Sequence, residues 1–149
     1  MTASDSNTSL AQTREWMESR LEQNEFHSWL NIKLVAIDDG HVVTRMDFEN
    51  RLLNISQQSI QGGILATFID NAGALAMYTT AEDPSSAAQA TIDLDVSYLN
   101  PATDNIYAHA EVIRSGSSIG VSVVNVTNSP ETDEGDPIAF GRGTYRVWR

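Results

Sequence analysis

The chain contains no cysteine. Disulfides, thiolate metal sites and cysteine nucleophiles are excluded together. Lysine is nearly absent: Lys33 stands alone, and the other cations are arginines. No run is long and apolar enough to span a bilayer. The start of the chain lacks the basic residues and apolar core of a secretory signal. A soluble, cytoplasmic protein is expected, without a membrane partner. Positive charge is scarce, with 9 Lys and Arg against 20 Asp and Glu, for a formal net charge of -11. Such a chain repels nucleic acid and anionic surfaces. An acidic, lysine-poor surface also suits high intracellular salt, which screens carboxylate repulsion. A halophilic source is one reading of it and an ordinary acidic protein the other. His27, His41 and His109 are scattered, with no second ligand at metal spacing, so no metal site is expected. No cofactor is expected either.

What is present fits one domain. The 149 residues are 41% hydrophobic, enough for a core. Residues 1–8 are polar and expected to fray, leaving 9–149 as the domain. Leu10, Trp16, Met17, Leu21, Phe26 and Trp29 recur at roughly helical spacing, so a helix is expected from Ser9 to Leu30. Thr8 or Ser9 would cap it and Asn24 would break it. Trp16, Trp29 and Trp148 read as packing residues. Ile32–Ile37 and His41–Phe48 read as strands around an Asp38-Asp39-Gly40 hairpin. Glu49–Gln61 is a polar loop long enough to carry function. Gly62–Thr80 is apolar nearly all round and therefore a buried helix. Four strands complete the chain, near Thr91–Tyr98, Ile106–Val112, Ile119–Thr127 and Ile138–Trp148. In the first of these, simple alternation puts Ile92 on the apolar face and Thr91 on the polar one. Tyr98 and Tyr107 read as ordinary strand residues. The predicted fold is α+β: an antiparallel sheet wrapped around one central apolar helix, with an N-terminal helix beside it.

Asp70 is the only charge in the apolar helix. Burying an ionised carboxylate is costly unless it is paired or hydrogen-bonded, so Asp70 is the first candidate for chemistry. Gln61-Gly62-Gly63 opens the same helix, where N–H groups lack internal partners and carry partial positive charge. Such an end can stabilise a developing oxyanion. Gly62 and Asp70 are eight residues apart, about 12 Å along a helix. One helix cannot easily apply both groups to one carbon. Two helices related by a two-fold axis can, so the spacing points to a composite site between subunits.

The segment QGGILATFIDNA (61–72) resembles the H-G-G-x-x-A-x-x-x-D helix signature of PaaI-like and THEM-like hotdog thioesterases. TIDLDVSYLNPA (91–102), VIRSGSS (112–118) and GRGTY (141–145) resemble their later strands and turn, in the same order and spacing. The resemblance implies a hotdog fold and an acyl-CoA or aryl-CoA thioesterase, acting as a homodimer or homotetramer. It also implies roles. Asp70 matches the family's catalytic carboxylate and Gly62 the N–H that polarises the thioester carbonyl. Thr91 matches a hydroxyl that places water, and Asn54 approximately matches a loop asparagine near the thioester. Gly63, Arg114, Gly116 and Ser117 match substrate- and CoA-binding positions. Gln61 stands where the family has histidine; an amide forms hydrogen bonds but does not titrate. That departure keeps open a non-catalytic acyl-CoA-binding module. A hotdog dehydratase or hydratase is a further alternative, although its chemistry pairs a carboxylate with a catalytic histidine.

Overall fold

The computed structural model describes residues 3–149, with side chains from Ser9 onward. The segment 1–8, expected to fray, lies outside the residues with described side chains. Helix α1 spans Ala3–Gln23 and helix α2 spans Glu25–Leu30. The break between them has a local cause. The Asn24 side chain accepts from the His27 N–H at 3.0 Å and caps α2. Asn31 ends α2 in the left-handed conformation, φ 57°, which asparagine tolerates. The cap expected at Thr8 or Ser9 is not one. No glycine or proline stops the helix there. The Ser9 carbonyl instead accepts from the Thr13 hydroxyl at 3.0 Å, within α1.

Strands β1 (Lys33–Asp38) and β2 (His41–Met46) form the expected hairpin. Helix α3 spans Gly62–Tyr78, followed by β3 (Ala88–Tyr98), β4 (Ile106–Ser115), β5 (Ile119–Thr127) and β6 (Pro137–Trp148). All pair antiparallel in one sheet of order β1-β2-β4-β5-β6-β3. The sheet curls around α3. Val42, Thr44 and Met46 of β2 and Ile106, Ala108 and Ala110 of β4 are buried, as their alternation requires. On α3, Phe68, Ile69, Ala72 and Ala76 are fully buried. This is the α+β architecture expected from the sequence, a single apolar helix enclosed by an antiparallel sheet.

Close approach of helix and sheet depends on small residues. Tyr145 of β6 is 1% exposed and drives its hydroxyl between the two layers. A Cβ on Gly73 would lie 2.4 Å from the Tyr145 Oη, and one on Gly143 would lie 2.2 Å from it. Both positions must therefore be glycine for the tyrosine to fit.

Two aromatic assignments need correction. Trp29 and Trp148, expected to pack, are 48% and 50% exposed, and Phe26 is 51% exposed. Helix α2 is only six residues long and fully buries Leu30 alone, so Phe26 and Trp29 project outward. Arginine guanidinia cover the exposed indoles instead: Arg51 lies 5.2 Å from the Trp29 ring and Arg146 lies 5.5 Å from Trp148. Trp16 does pack, edge-on against Tyr78 at 5.0 Å.

Gly143→Ala should overpack the Tyr145 hydroxyl. A cost of about 1–3 kcal/mol corresponds to a fall in Tm of roughly 2–12 °C for a chain of this size. Differential scanning calorimetry of the variant checks this; an unchanged Tm would show that the tyrosine moves aside freely.

Candidate active site

Asp70 sits in the middle of α3 and is half-buried. Among the described residues, none of the ion pairs includes it. Its Oδ1 accepts one side-chain hydrogen bond, from the Thr91 hydroxyl at 2.8 Å. A carboxylate held by a hydroxyl, with no ion pair among the described residues, is placed to act as a general base on a substrate or water.

Thr91 reaches Asp70 through a bulge. In the β3–β6 ladder Thr91 pairs with Tyr145 and Asp93 with Thr144, so Ile92 is the extra residue. The bulge inverts the simple alternation. Gln89 and Thr91 lie on the helix side before it, and Leu94, Val96 and Tyr98 lie there after it. Ile92, expected inside, is 57% exposed. Thr91, expected outside, meets the catalytic candidate.

Two residues missed by the sequence reading complete the frame. The buried Tyr145 hydroxyl donates to the Asp70 carbonyl at 3.1 Å. Burial first, and the Asp70 charge second, push the Tyr145 phenol far above its ordinary range. It remains a neutral donor that fixes the helix at Asp70. Tyr98 donates to the Gly62 carbonyl at 2.7 Å and lays its ring against Gly62. It is therefore more than an ordinary strand residue. The G-x-G-x-Y pattern at 141–145 was the available signal for Tyr145, since small residues flank the space it needs.

The other candidates fall into two groups. At the start of α3, Gln61 is the exposed N-cap residue with φ −59° and ψ 140°, and its side chain makes no capping bond. The Gly62 and Gly63 N–H groups donate to no backbone carbonyl among the described residues. A Cβ at Gly63 would meet nothing within 4 Å, so this positive helix end faces open space. Asn54 lies in the preceding loop, where its side chain donates to Ser59 Oγ at 2.9 Å and accepts from Ser56 Oγ at 2.6 Å. It shapes its own loop. Arg114, Gly116 and Ser117 lie at the opposite end of α3. There Ser115 Oγ donates to Thr80 Oγ1 at 3.0 Å, and Arg149 donates to both. Within one chain, then, Asp70 and Thr91 meet. The Gln61–Gly63 end is about 12 Å away along α3, and the 114–117 turn lies past its C-terminus, about 15 Å beyond Asp70.

Beside Asp70, Asn71 Nδ2 lies 3.3 Å from His27 Nε2 on α2. Burial lowers the His27 pKa from its ordinary 6.5. A lowered histidine pKa means the unfolded chain binds the extra proton, so stability contributed by neutral His27 is lost as pH falls below 6.5. His27→Gln should flatten this limb in urea unfolding measured across that range. An identical pH dependence in variant and parent would remove His27 as its source.

Comparison with known proteins identifies the family. The family model described as "Thioesterase superfamily" matches residues 57–134. A provisionally named esterase of Halobacterium salinarum is 36% identical over 137 residues, covering 89% of this chain and 91% of the relative. Human acyl-coenzyme A thioesterase 13 is 29% identical over 144 residues, covering 94% of this chain and 98% of the relative. Among solved structures, the Escherichia coli PaaI protein superimposes with a TM-score of 0.78 at 23% identity, covering 95% of this chain and 97% of that one. Zebrafish thioesterase superfamily member 2 does so with a TM-score of 0.76, also at 23%, covering 93% and 97%. The wrapped-helix fold, the matched model and the relatives agree: the chain belongs to the thioesterase superfamily and is a hotdog-fold, PaaI-like thioester hydrolase.

Proposed function

We propose that the protein hydrolyses acyl-CoA or aryl-CoA thioesters, with Asp70 as the catalytic carboxylate. The observation that carries this is the Thr91–Asp70 hydrogen bond at 2.8 Å, made to a carboxylate with no ion-pair partner among the described residues. Thr91 orients the carboxylate and a water. Asp70 takes a proton from that water as its oxygen bonds to the thioester carbon. The carbonyl oxygen becomes an oxyanion, held by the Gly62 and Gly63 N–H groups at a helix N-terminus. Collapse of the intermediate breaks the C–S bond. The CoA thiolate leaves and takes the proton from Asp70, and a carboxylic acid remains.

The oxyanion donors belong to a second subunit. Asp70 and Gly62 are about 12 Å apart along their own helix. The two sheet edges differ. β1 is covered by α1, whose Arg14 donates to the Val35 carbonyl at 3.3 Å. β3 is eleven residues long with its outer edge unpaired, and Ile92 and Tyr98 are exposed on it beside Asp93 and Asp95. A long bare edge is a template for pairing. Joined edge to edge about a two-fold axis, two copies would bring Gln61–Gly63 and the Asn54 loop of one toward Asp70 and Thr91 of the other. Gln61 then orients substrate or water through its amide. Arg114, Gly116 and Ser117 are assigned to the CoA nucleotide, whose phosphates suit an exposed arginine. A cytoplasmic location, with acyl-CoA esters as partners, belongs to the same proposal. Among the described residues no helix is long and apolar enough to cross a membrane.

Asp70→Asn should fold normally and lose at least roughly 10²–10⁴-fold in kcat, whereas Gln61→Ala should lose only about tenfold to a hundredfold. Steady-state hydrolysis of short, medium, long and phenylacetyl CoA esters, in low and high salt, reads both. Asp70→Asn retaining a third of wild-type kcat would remove it from the chemistry.

A further inference from the structure

Tyr98 closes β3, and its hydroxyl donates to the Gly62 carbonyl at 2.7 Å. Its ring lies along the same glycine, where a Cβ would come within 3.3 Å of it. The contact is with one particular peptide group. The Gly62 carbonyl and the Gly63 N–H belong to the same planar unit and share its resonance. A donor to the carbonyl draws electron density through the C–N bond and makes the N–H a stronger donor in turn, as in any chain of hydrogen bonds. That N–H has no backbone acceptor among the described residues. Gly63 faces open space, with nothing within 4 Å of a Cβ. The phenol thus stands at one end of the peptide dipole and the free donor at the other.

Both partners of this bond are held in place. Directly after Tyr98, the Leu99 and Asn100 N–H groups donate to the Ile138 carbonyl at 2.9 and 3.2 Å, and the Asn100 side chain donates to the Pro137 carbonyl at 2.7 Å. On the helix side, the Ile60 N–H donates to the Ala102 carbonyl at 3.0 Å and the Gln61 N–H to the Leu52 carbonyl at 2.9 Å. The preceding peptide is loaded in the same sense from within the helix. Its Gln61 carbonyl accepts from the Ile64 and Leu65 N–H groups at 3.0 and 3.2 Å, behind the Gly62 N–H. Only the Gly62–Gly63 peptide receives its donor from a side chain of another element, so that donor can be removed without altering the helix. Packing does not account for the hydroxyl, since a phenylalanine ring would cover Gly62 equally well. Strand β3 therefore holds α3 by a hydroxyl at two points, Thr91 at Asp70 and Tyr98 at Gly62.

We propose that Tyr98 is a positioning residue whose hydroxyl aims and strengthens the Gly63 N–H as a donor to the oxyanion. The proposal rests on the reading of the α3 N-terminus as the oxyanion site of thioester hydrolysis. The oxyanion exists only as the reaction proceeds, so the contribution of Tyr98 falls on kcat and not on ground-state binding. A donor of this kind is worth roughly 10²–10³ in kcat. Strengthening it by about a tenth to a third, as one added bond in a chain does, amounts to roughly twofold to tenfold.

The test varies the donor and keeps the ring. Tyr98→Phe removes the hydroxyl, and Tyr98→3-fluorotyrosine makes it a stronger donor, assayed where that phenol keeps its proton. With octanoyl-CoA and phenylacetyl-CoA, kcat should rise in the order phenylalanine, tyrosine, 3-fluorotyrosine, with Tyr98→Phe down roughly twofold to tenfold and KM unchanged. A role in folding alone would lower Tm without producing that order. Unchanged kcat in Tyr98→Phe, or a change confined to KM, would overturn the proposal. A second readout needs no turnover: the Gly63 amide resonance in protein labelled at glycine nitrogen, identified by its loss in Gly63→Ala. It should move in Tyr98→Phe, because its own peptide loses a bond while the neighbouring ring stays. If wild type hydrolyses neither ester, the hydrolase reading fails and this resonance decides: a shift upholds the strengthened N–H, and no shift overturns it. If Tyr98→Phe does not fold, Tyr98→3-fluorotyrosine decides alone, by a kcat above wild type or one equal to or below it.

Discussion

Helix α3 is enclosed because the strands behind it leave room at defined points, and Asp70 lies where that enclosure ends. Gly73 and Gly143 flank the Tyr145 hydroxyl, so the side chain enters the helix–sheet interface and donates to the Asp70 carbonyl at 3.1 Å. Three residues further along, Ser122 donates to the Gly73 carbonyl at 2.9 Å. Two donors from the sheet therefore fix the rotation of the helix as well as its depth. Rotation decides whether the one charged residue points into the apolar core or toward edge strand β3. It points to β3, where Thr91 receives it. Packing, polar satisfaction and the candidate chemistry are thus one arrangement.

Much of this was readable along the chain. An all-round apolar helix implies enclosure, which the structure shows, and the single Asp in it marks a candidate for chemistry, because both follow from local composition. The Asn24 break was likewise local, since the capping amide and the N–H it accepts from are three residues apart. What was unreadable depends on partners distant in sequence. Period-two alternation puts Thr91 and Ile92 on the wrong faces, because the bulge arises only when β3 pairs with β6. Strand β3 also begins at Ala88, three residues before its alternation becomes visible, since pairing with Trp148 extends it. Gln89, Tyr98 and Tyr145 gained significance for the same reason: each bonds to α3 from a strand. Trp29 and Trp148 failed as packing residues because spacing does not reveal how much of a short helix or strand end is covered.

Along α3 the candidate residues stand in a sequence of their own. The free N–H groups are at its start, the carboxylate is at its middle, and the 114–117 turn adjoins its end. A single chain sets a carboxylate and its hydroxyl partner together but holds the oxyanion donors about 12 Å away. The unpaired edge of β3 and this separation both fit the proposed second copy across a two-fold axis. Catalysis would then depend on association, and dissociation would dismantle the site without unfolding either subunit.

Subunit mixing tests that claim most directly. Gly62→Pro removes the first N–H of α3 at a position where proline suits a helix, and Gln61 already has the extended backbone that proline requires of its predecessor. Gly62→Pro and Asp70→Asn should each be nearly inactive alone. After complete exchange of an equal mixture, half of the dimers are mixed, each with one intact site of two. Activity should therefore return to about a quarter of wild type. No recovery, with exchange verified by native mass spectrometry, would place both groups in one subunit's site and contradict the composite account.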